Sequence, residues 1–197
     1  MAKIQKLKKS TRGKEIKCSK CKTLINVGDF YLKATPYKKS PIIRCTSCGL
    51  KEYETYGSEY RREVGAIVED WISIYGTSDG TAEEIAGKLE SIKETQEESL
   101  ENIPEQLREG DVGQTLQIRI DSLEDAINEL ENISYDDLKD EVREEAENNV
   151  GAYDEEDEDC EFDSEEAWEN AVSEEVDNLV EDAYSDAIDE ALSYIVY

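Results

Sequence analysis

Two Cys-x-x-Cys pairs constrain this chain more than any other feature of its sequence. The pairs are Cys18-Ser-Lys-Cys21 and Cys45-Thr-Ser-Cys48. Two thiolates at positions i and i+3 of a tight turn can bind one zinc ion from the same side, and a second such turn completes a tetrahedron of sulfur ligands. Because the sequence contains no His, the predicted site is all-Cys. Four thiolates leave no open position for water, which indicates a structural zinc ion.

The segment between the two pairs is typical of a β-hairpin. Residues 29–35 predict a strand, residues 36–40 a turn and residues 41–44 the returning strand. This segment holds too little apolar material for a core of its own, so metal binding is expected to supply much of its folding free energy. A helix is predicted from about residue 58 to residue 75, with Gly76 as its C-cap. Its apolar face is Tyr60, Val64, Ile67, Val68, Trp71, Ile72 and Tyr75.

We call each turn that carries a Cys-x-x-Cys pair a knuckle. The predicted order is the first knuckle, the hairpin, the second knuckle and the helix, which is the order of a treble-clef finger. Over residues 14–75 the chain resembles the zinc-finger modules related to the PARP type. The PARP-type fingers carry a His among their ligands, whereas this chain has none. The matching residues are Cys18, Cys21, Ile25, Gly28, Phe30, Tyr31, Leu32, Cys45 and Cys48.

The charge is divided sharply along the chain. Residues 1–62 have a net charge of +11 and residues 63–197 a net charge of −39, which together give −28. The missing His excludes Ser-His-Asp and Cys-His nucleophile pairs. The sequence also lacks a GxxxxGK[ST] phosphate loop and a dinucleotide-binding glycine motif. We therefore expect a protein that is not an enzyme.

The basic region has three open interpretations. Residues 1–13 predict a flexible arm, which can be a solvated tail, can contact phosphates or can pair with the acidic part of the chain. Aromatic side chains among basic ones suit nucleic-acid binding, but they can equally pack beneath the hairpin. The candidate nucleic-acid residues are Lys14, Lys17, Lys20, Lys22, Tyr31, Lys33, Tyr37, Lys38, Lys39 and Arg44.

Acidic helices are predicted in residues 77–150. Thr81-Ala-Glu-Glu84 fits a capping box, and Ser134 is expected to cap a further helix. The two longest runs have apolar residues at spacings of three and four, which indicates an antiparallel helical hairpin that could also mediate oligomerisation. The first run is Ile85, Leu89, Ile92, Gln96, Leu100 and Ile103; the second is Leu116, Ile120, Leu123, Ile127 and Leu130.

The C-terminal part begins with an acidic linker at residues 151–163, in which Cys160 has no nearby Cys partner. An amphipathic helix is predicted over residues 164–197. Its apolar stripe contains Trp168, Val172, Val176, Leu179, Ala183, Ile188, Ala191, Leu192 and Ile195. The acidic face expected to bind a partner is Glu165, Glu166, Glu169, Glu174, Glu175, Asp177, Glu181, Asp182, Asp186, Asp189 and Glu190.

This acidic half can imitate nucleic acid. Duplex DNA presents about one charge per 1.7 Å, whereas the last helix presents roughly one per 4.6 Å, so two or three helices side by side are needed. The first function hypothesis is therefore a DNA-mimic-like inhibitor that binds a basic, nucleic-acid-binding surface of a host protein. The alternatives are a nucleic-acid-binding or transcription-related zinc finger that uses residues 1–62, and a virion or scaffold component.

The chain as a whole predicts an α+β protein that is mostly α, with a treble-clef finger at residues 14–76 followed by an acidic helical bundle. A four-Cys finger followed by Glu-rich helices, as in residues 116–130, resembles small accessory proteins of bacteriophages and other prokaryotic viruses over residues 14–133. That resemblance implies a viral factor acting in a host cytoplasm. The N-terminus MAKIQKLKKS lacks the apolar stretch of a secretory signal and no run suits a membrane helix, so a cytoplasmic location without membrane contact is expected.

Overall fold

The computed structural model describes residues 2–10, 15–36, 38–153, 162 and 164–197. The protein is mostly helical (61%), with a small N-terminal sheet, as the composition and periodicity predict. The chain forms two compact units. Unit 1 comprises Met1–Asp70 with Tyr197, and unit 2 comprises Trp71–Val196.

Unit 1 contains five short strands within its described residues. Strands β1 (Gln5–Lys8), β4 (Phe30–Ala34) and β5 (Ile42–Cys45) form an antiparallel sheet in the order β1-β4-β5. Strands β2 (Ile16–Lys17) and β3 (Leu24–Ile25) form a separate two-stranded hairpin. The predicted hairpin over residues 29–44 therefore corresponds to β4 and β5.

Strand β1 differs from the flexible arm expected for residues 1–13. Residues 5–8 pair with β4, and the pairing continues into the next loop because the Lys9 amide donates to the Asp29 carbonyl at 2.8 Å. Lysines are weak strand formers on their own but are common on edge strands, where their charge discourages pairing with other chains. The strand forms because β4 offers it a partner, which the local sequence does not reveal.

A 3-10 turn at Tyr53–Thr55 leads into helix α1 (Glu59–Tyr75). The predicted apolar face is largely confirmed, since Tyr60, Val64, Ile67 and Trp71 are buried. Asp70 interrupts the helix with a non-helical φ of −147°. Beyond this interruption, Ile72 is 52% exposed instead of buried.

Unit 2 consists of the end of α1 and five further helices within the described residues. They are α2 (Thr81–Glu101), α3 (Glu105–Arg108), α4 (Asp111–Glu131), α5 (Tyr135–Val150) and α6 (Glu165–Ser193). Helix α2 packs along α4, and α6 packs against both α4 and α5. The predicted apolar runs lie in these contacts, where Leu89, Leu123 and Leu130 are fully buried.

The starts of α5 and α2 test the two helix caps that the sequence predicts. Ser134 caps α5 by accepting a hydrogen bond from the Asp137 amide, as predicted. The capping box at Thr81 is wrong, because Gly80 occupies the N-cap position and makes no side-chain cap. The Ala82 amide donates instead to the hydroxyl of Tyr184, a buried residue of α6, at 2.8 Å. A side chain from a distant part of the sequence therefore accepts a hydrogen bond from a backbone N–H in the first turn of α2.

The buried stripe of α6 winds around the helix. Its residues Val172, Val176, Val180, Tyr184, Ile188 and Leu192 are all buried. Each step of four residues turns the stripe by about 40°, so it turns by about 200° over its length. The N-terminal half packs on α5, where Val172 and Val176 form a core with Ala146. The winding allows one helix to present its apolar side to two neighbours in succession.

Candidate metal centre and charged surfaces

The first Cys pair lies in the turn of the β2–β3 hairpin. The Cys18 amide donates to the Thr23 carbonyl at 2.9 Å, and the Lys22 amide donates to the Cys18 carbonyl at 3.0 Å. Lys22 has a left-handed φ of 62°. This conformation turns the chain back immediately after Cys21, so both sulfurs of the pair lie on the same side of the turn.

The second pair begins at the last residue of β5, Cys45, and continues into the turn that contains Cys48. Gly49 follows it with a φ of 63°, nearly the same as the φ of Lys22. Glycine adopts this region without steric cost, which makes Gly49 the stronger sequence signal of the two. Both knuckles therefore have the same backbone design, a left-handed residue directly after the second Cys.

The four predicted ligand sulfurs come together. Those of Cys18, Cys21, Cys45 and Cys48 all lie within 4.8 Å of one another, and Cys21 Sγ and Cys45 Sγ are 3.8 Å apart. A disulfide would need about 2.05 Å, and the four cysteines are free. Tetrahedral zinc with Zn–S bonds of about 2.3 Å separates its sulfurs by roughly 3.8 Å. The cluster can therefore hold a metal ion.

Backbone amides adjust the electrostatics of this cluster. Burial raises the pKa of Cys18, but hydrogen bonds from the amides of Cys45, Cys21 and Lys20 outweigh it and lower the pKa to about 6. The Thr23 hydroxyl and amide lower the pKa of Cys21. Contacts with the Cys45 and Cys21 sulfurs raise the pKa of Cys48 to about 12. A bound cation would attract the thiolate charges, lower the pKa of its thiol ligands and so deprotonate them.

A polar network ties the first knuckle to the sheet. The Ser19 amide donates to the Ile43 carbonyl at 2.8 Å. Arg44 donates to the Ser19 hydroxyl and also forms an ion pair with Glu54. The Arg44 side chain is only 14% exposed. Arg44 was predicted as a nucleic-acid contact. Its side chain instead links the strand that leads to Cys45 with Ser19 of the first knuckle and with Glu54.

The other predicted nucleic-acid residues that the structure describes lie in different elements of unit 1. Lys17, Lys20 and Lys22 are exposed around the first knuckle, whereas Lys38 and Lys39 are exposed beyond β4, in the turn that leads to β5. Tyr31 and Lys33 are half-buried in β4. Lys14 and Tyr37 lie outside the described residues, as do Cys160 and most of the predicted acidic linker.

Sequence reasoning missed a patch formed by β1 and β4. Phe30 is 49% exposed, and the ammonium groups of Lys6 and Lys8 lie 5.2 and 5.7 Å from its ring centroid. A groove of about 840 Å³ extends from Lys6 and Phe30 to both Cys pairs. The sequence did contain a signal for strand β1. Polar and apolar residues alternate there, since Lys6 and Lys8 flank the apolar Leu7.

The predicted acidic face of α6 is divided between two roles. Five of its carboxylates contact unit 2 itself. Arg143 pairs with Glu169, Lys139 with Asp177 and Asn149 donates to Glu175; Thr77 donates to Glu181 and the Trp71 indole to Asp189. The remaining six are exposed and lie on different sides of the helix: Glu165, Glu166, Glu174, Asp182, Asp186 and Glu190.

Unit 2 as a whole is strongly acidic at its surface. Its sequence has 42 acidic and 6 basic residues, a net charge of −36. Among its described carboxylates, all are exposed except the half-buried Glu90, Glu147 and Glu175. Within the described residues, no helix combines the length and apolar character needed to cross a membrane.

The fold and the site together define a protein with two units, a four-Cys metal-binding candidate in a small sheet and a separate acidic helical unit. No protein family model, no curated protein and no solved structure matches this chain.

Proposed function

We propose that the protein is a non-enzymatic binding protein with one structural zinc ion and an acidic helical unit that binds a basic surface of a partner protein. The ion is assigned as zinc because four thiolates with near-tetrahedral spacing form the ligand set that zinc prefers. The order of the two knuckles, the sheet and α1 supports a treble-clef arrangement. Metal analysis of the purified protein tests the zinc assignment. About one zinc ion per chain is expected, and protein without zinc would contradict the assignment.

The observation that carries the binding function is the acidic helical unit 2, whose described residues hold 34 acidic and 6 basic side chains. At least four of its six basic side chains interact within the unit, among them Lys93, which pairs with Glu90. Lys139 and Arg143 pair with carboxylates of α6 and α5, and Arg108 donates to the carbonyls of Glu101 and Ile103 at the end of α2. The exposed carboxylates thus remain mostly without local cations, which costs self-repulsion. A partner with a basic, nucleic-acid-binding surface would relieve that repulsion.

Four carboxylates of α6 are the best candidates for contact with this partner. Glu174, Asp182, Asp186 and Glu190 lie opposite the winding apolar stripe, at steps of eight and four residues. Their positions turn around the helix in phase with the stripe. They therefore form a helical band of negative charge rather than one flat face, which suits a partner that normally follows the backbone of nucleic acid.

The resemblance to accessory proteins of prokaryotic viruses gives this proposal a setting. In that setting the partner is a host protein of the bacterial or archaeal cytoplasm that processes nucleic acid or defends against the virus. The zinc-stabilised unit then anchors or orients the acidic one.

The experiment is capture on immobilised full-length protein from a bacterial or archaeal lysate, followed by elution with duplex DNA. DNA should release the partner, because both compete for the same surface. A variant with Glu174→Gln, Asp182→Asn, Asp186→Asn and Glu190→Gln should capture at least about tenfold less, roughly 1.4 kcal/mol.

The matched control removes the same charge from α2 through Glu94→Gln, Glu97→Gln, Glu98→Gln and Glu101→Gln, all at exposed positions. This control should capture the partner nearly as well as the natural sequence. Capture that persists in the α6 variant, or that resists elution by DNA, would contradict the mimic function.

A further inference from the structure

A patch of one aromatic and two basic side chains lies on unit 1, at the edge of its three-stranded sheet. Strand β1 pairs with β4 so that Lys8 stands opposite Phe30 and Lys6 opposite Leu32. Alternate residues of a strand point to the same side of the sheet. The two lysines therefore share one face with the Phe30 ring, and their ammonium groups lie within 6 Å of its centroid.

Two observations describe the state of this patch. Fully burying a Phe side chain stabilises a fold by about 1.5–3 kcal/mol, yet Phe30 remains half-exposed. Among the described residues, neither Lys6 nor Lys8 forms a salt bridge, although the chain has 50 acidic residues. By contrast, Arg44 and Lys51 of the same unit pair with Glu54 and Asp70.

The adjoining groove extends the patch and adds a single acidic residue among its described lining residues. The acidic residue in that lining is Asp29, whose carboxylate accepts a hydrogen bond from the Asn26 amide at 2.9 Å. Thr46 and Ser47 supply hydroxyl groups at the far end, beside Cys45. The groove thus has the Phe30 ring and the Lys6 ammonium at one end and hydroxyl donors at the other.

We infer that this edge of unit 1 binds single-stranded nucleic acid, with an unpaired base stacked on Phe30 and the flanking phosphates bound by Lys6 and Lys8. Residues two apart on a strand are separated by about 6.8 Å, so the two lysines can contact different phosphates. Stacking on an aromatic side chain combined with phosphate contacts is the general means of single-strand recognition. Bases within a duplex are stacked on each other and cannot cover the ring.

The charge of unit 1 supports an anionic ligand. Residues 1–70 have a net charge of +8, and a zinc ion with four thiolates would lower this value to about +6. The acidic unit repels nucleic acid at long range. Binding is therefore best measured near 0.15 M salt, where the Debye length is about 8 Å and repulsion between distant charges is largely screened.

The test uses full-length protein and a fluorescent dT oligonucleotide of about 15 nucleotides, with a duplex of the same length as comparison. Fluorescence anisotropy should show tighter binding to the single strand. Phe30→Ala should weaken that binding about 5- to 100-fold, while Phe30→Trp should retain it because the ring is preserved. The slope of log K against log salt concentration is negative, and Lys6→Gln with Lys8→Gln should make it shallower by about 1.4 because two phosphate contacts are lost.

The matched control is Lys51→Gln with Arg61→Gln, which removes the same charge from exposed positions of unit 1 outside its sheets. This control should change binding less than twofold. Circular dichroism spectra and zinc content identify any variant that fails to fold, and Phe30→Trp keeps the test decisive if Phe30→Ala is unfolded. Equal binding of duplex and single strand, or an equal loss in the control, would overturn the inference, as would no binding near 0.15 M salt.

Discussion

The two units of this protein solve the same problem of stability in opposite ways. Among the described residues of the five strands of unit 1, only Ile25 and Ala34 are fully buried. Unit 2 buries many large apolar side chains along its helices, including Leu89, Leu123, Leu130, Ile188 and Leu192. Strands this short cannot exclude water from a core without cross-links. We therefore expect unit 1 to depend on its cysteine cluster, whereas unit 2 depends on packing strong enough to tolerate its charge.

The largest expected effect comes from removing the ligand cluster. Cys21→Ser or Cys48→Ser should unfold the sheet of unit 1, because metal binding to such sites contributes on the order of 10 kcal/mol to folding. The helices of unit 2 should keep their protection from hydrogen exchange, measured residue by residue. Cys160→Ser is the matched control and should change neither unit. Simultaneous loss of protection in both units would show that they do not fold independently.

A smaller effect, on the opposite unit, is expected from Leu123→Ala. Leu123 is fully buried in α4, and truncation of such a side chain typically costs about 2–5 kcal/mol. Thermal unfolding followed at 222 nm should therefore shift to lower temperature while the zinc content stays unchanged. Ile118→Ala, on the same helix but 53% exposed, should leave the midpoint nearly constant. Zinc loss in the Leu123 variant would weaken the separation between the two units.

The contact between Tyr184 and the start of α2 should have an intermediate effect. Tyr184→Phe leaves the buried Ala82 amide without its hydrogen-bond acceptor, which costs about 1–3 kcal/mol. Urea unfolding of unit 2 should show the loss as a lower midpoint with an unchanged slope. Tyr194→Phe, at a residue that is 46% exposed, is the control. Equal stability of both variants would mean that water replaces the hydroxyl.

The features that the sequence predicted well are local. The two Cys pairs are each confined to four residues, and the Ser134 cap depends on an amide three residues later, so short spacing specifies both. The helical runs of α2 and α4 follow from periodicity, and their central apolar residues are buried as predicted. In each case the physical cause lies within one or two turns of chain.

The features that the sequence did not reveal depend on distant partners. Strand β1 forms because β4 is available to pair with it, and α2 is capped by Tyr184, which lies 102 residues away from Ala82. The winding of α6 also buries Val180 and Tyr184, which a single straight stripe omits. Phe30 was predicted within a strand, but its exposure follows only from the position of β4 against an edge strand of lysines.

The smallest expected effect concerns alkaline pH and again separates the units. In unit 1, burial followed by the charge of Asp70 raises the pKa of Tyr53 to about 12, above its ordinary value of 10.0. The Tyr53 hydroxyl donates to the Asp70 carboxylate at 3.4 Å. The folded state therefore holds this proton more tightly than the unfolded state does. Its contribution to stability is complete below pH 10 and is lost as the pH rises from 10 to about 12.

Urea unfolding of unit 1 at pH 8 and pH 11 measures this contribution. The natural sequence should lose stability between the two pH values, and Tyr53→Phe should lose less because the phenol that would ionise is gone. Tyr194→Phe, in unit 2, should lose as much as the natural sequence. Absorbance of tyrosinate at 295 nm gives an independent reading, since Tyr53→Phe should remove a component that ionises near pH 12. An unchanged pH dependence in Tyr53→Phe would assign the alkaline loss to another group of unit 1, such as Tyr56, whose pKa is raised to about 12 by burial and by the charge of Glu69.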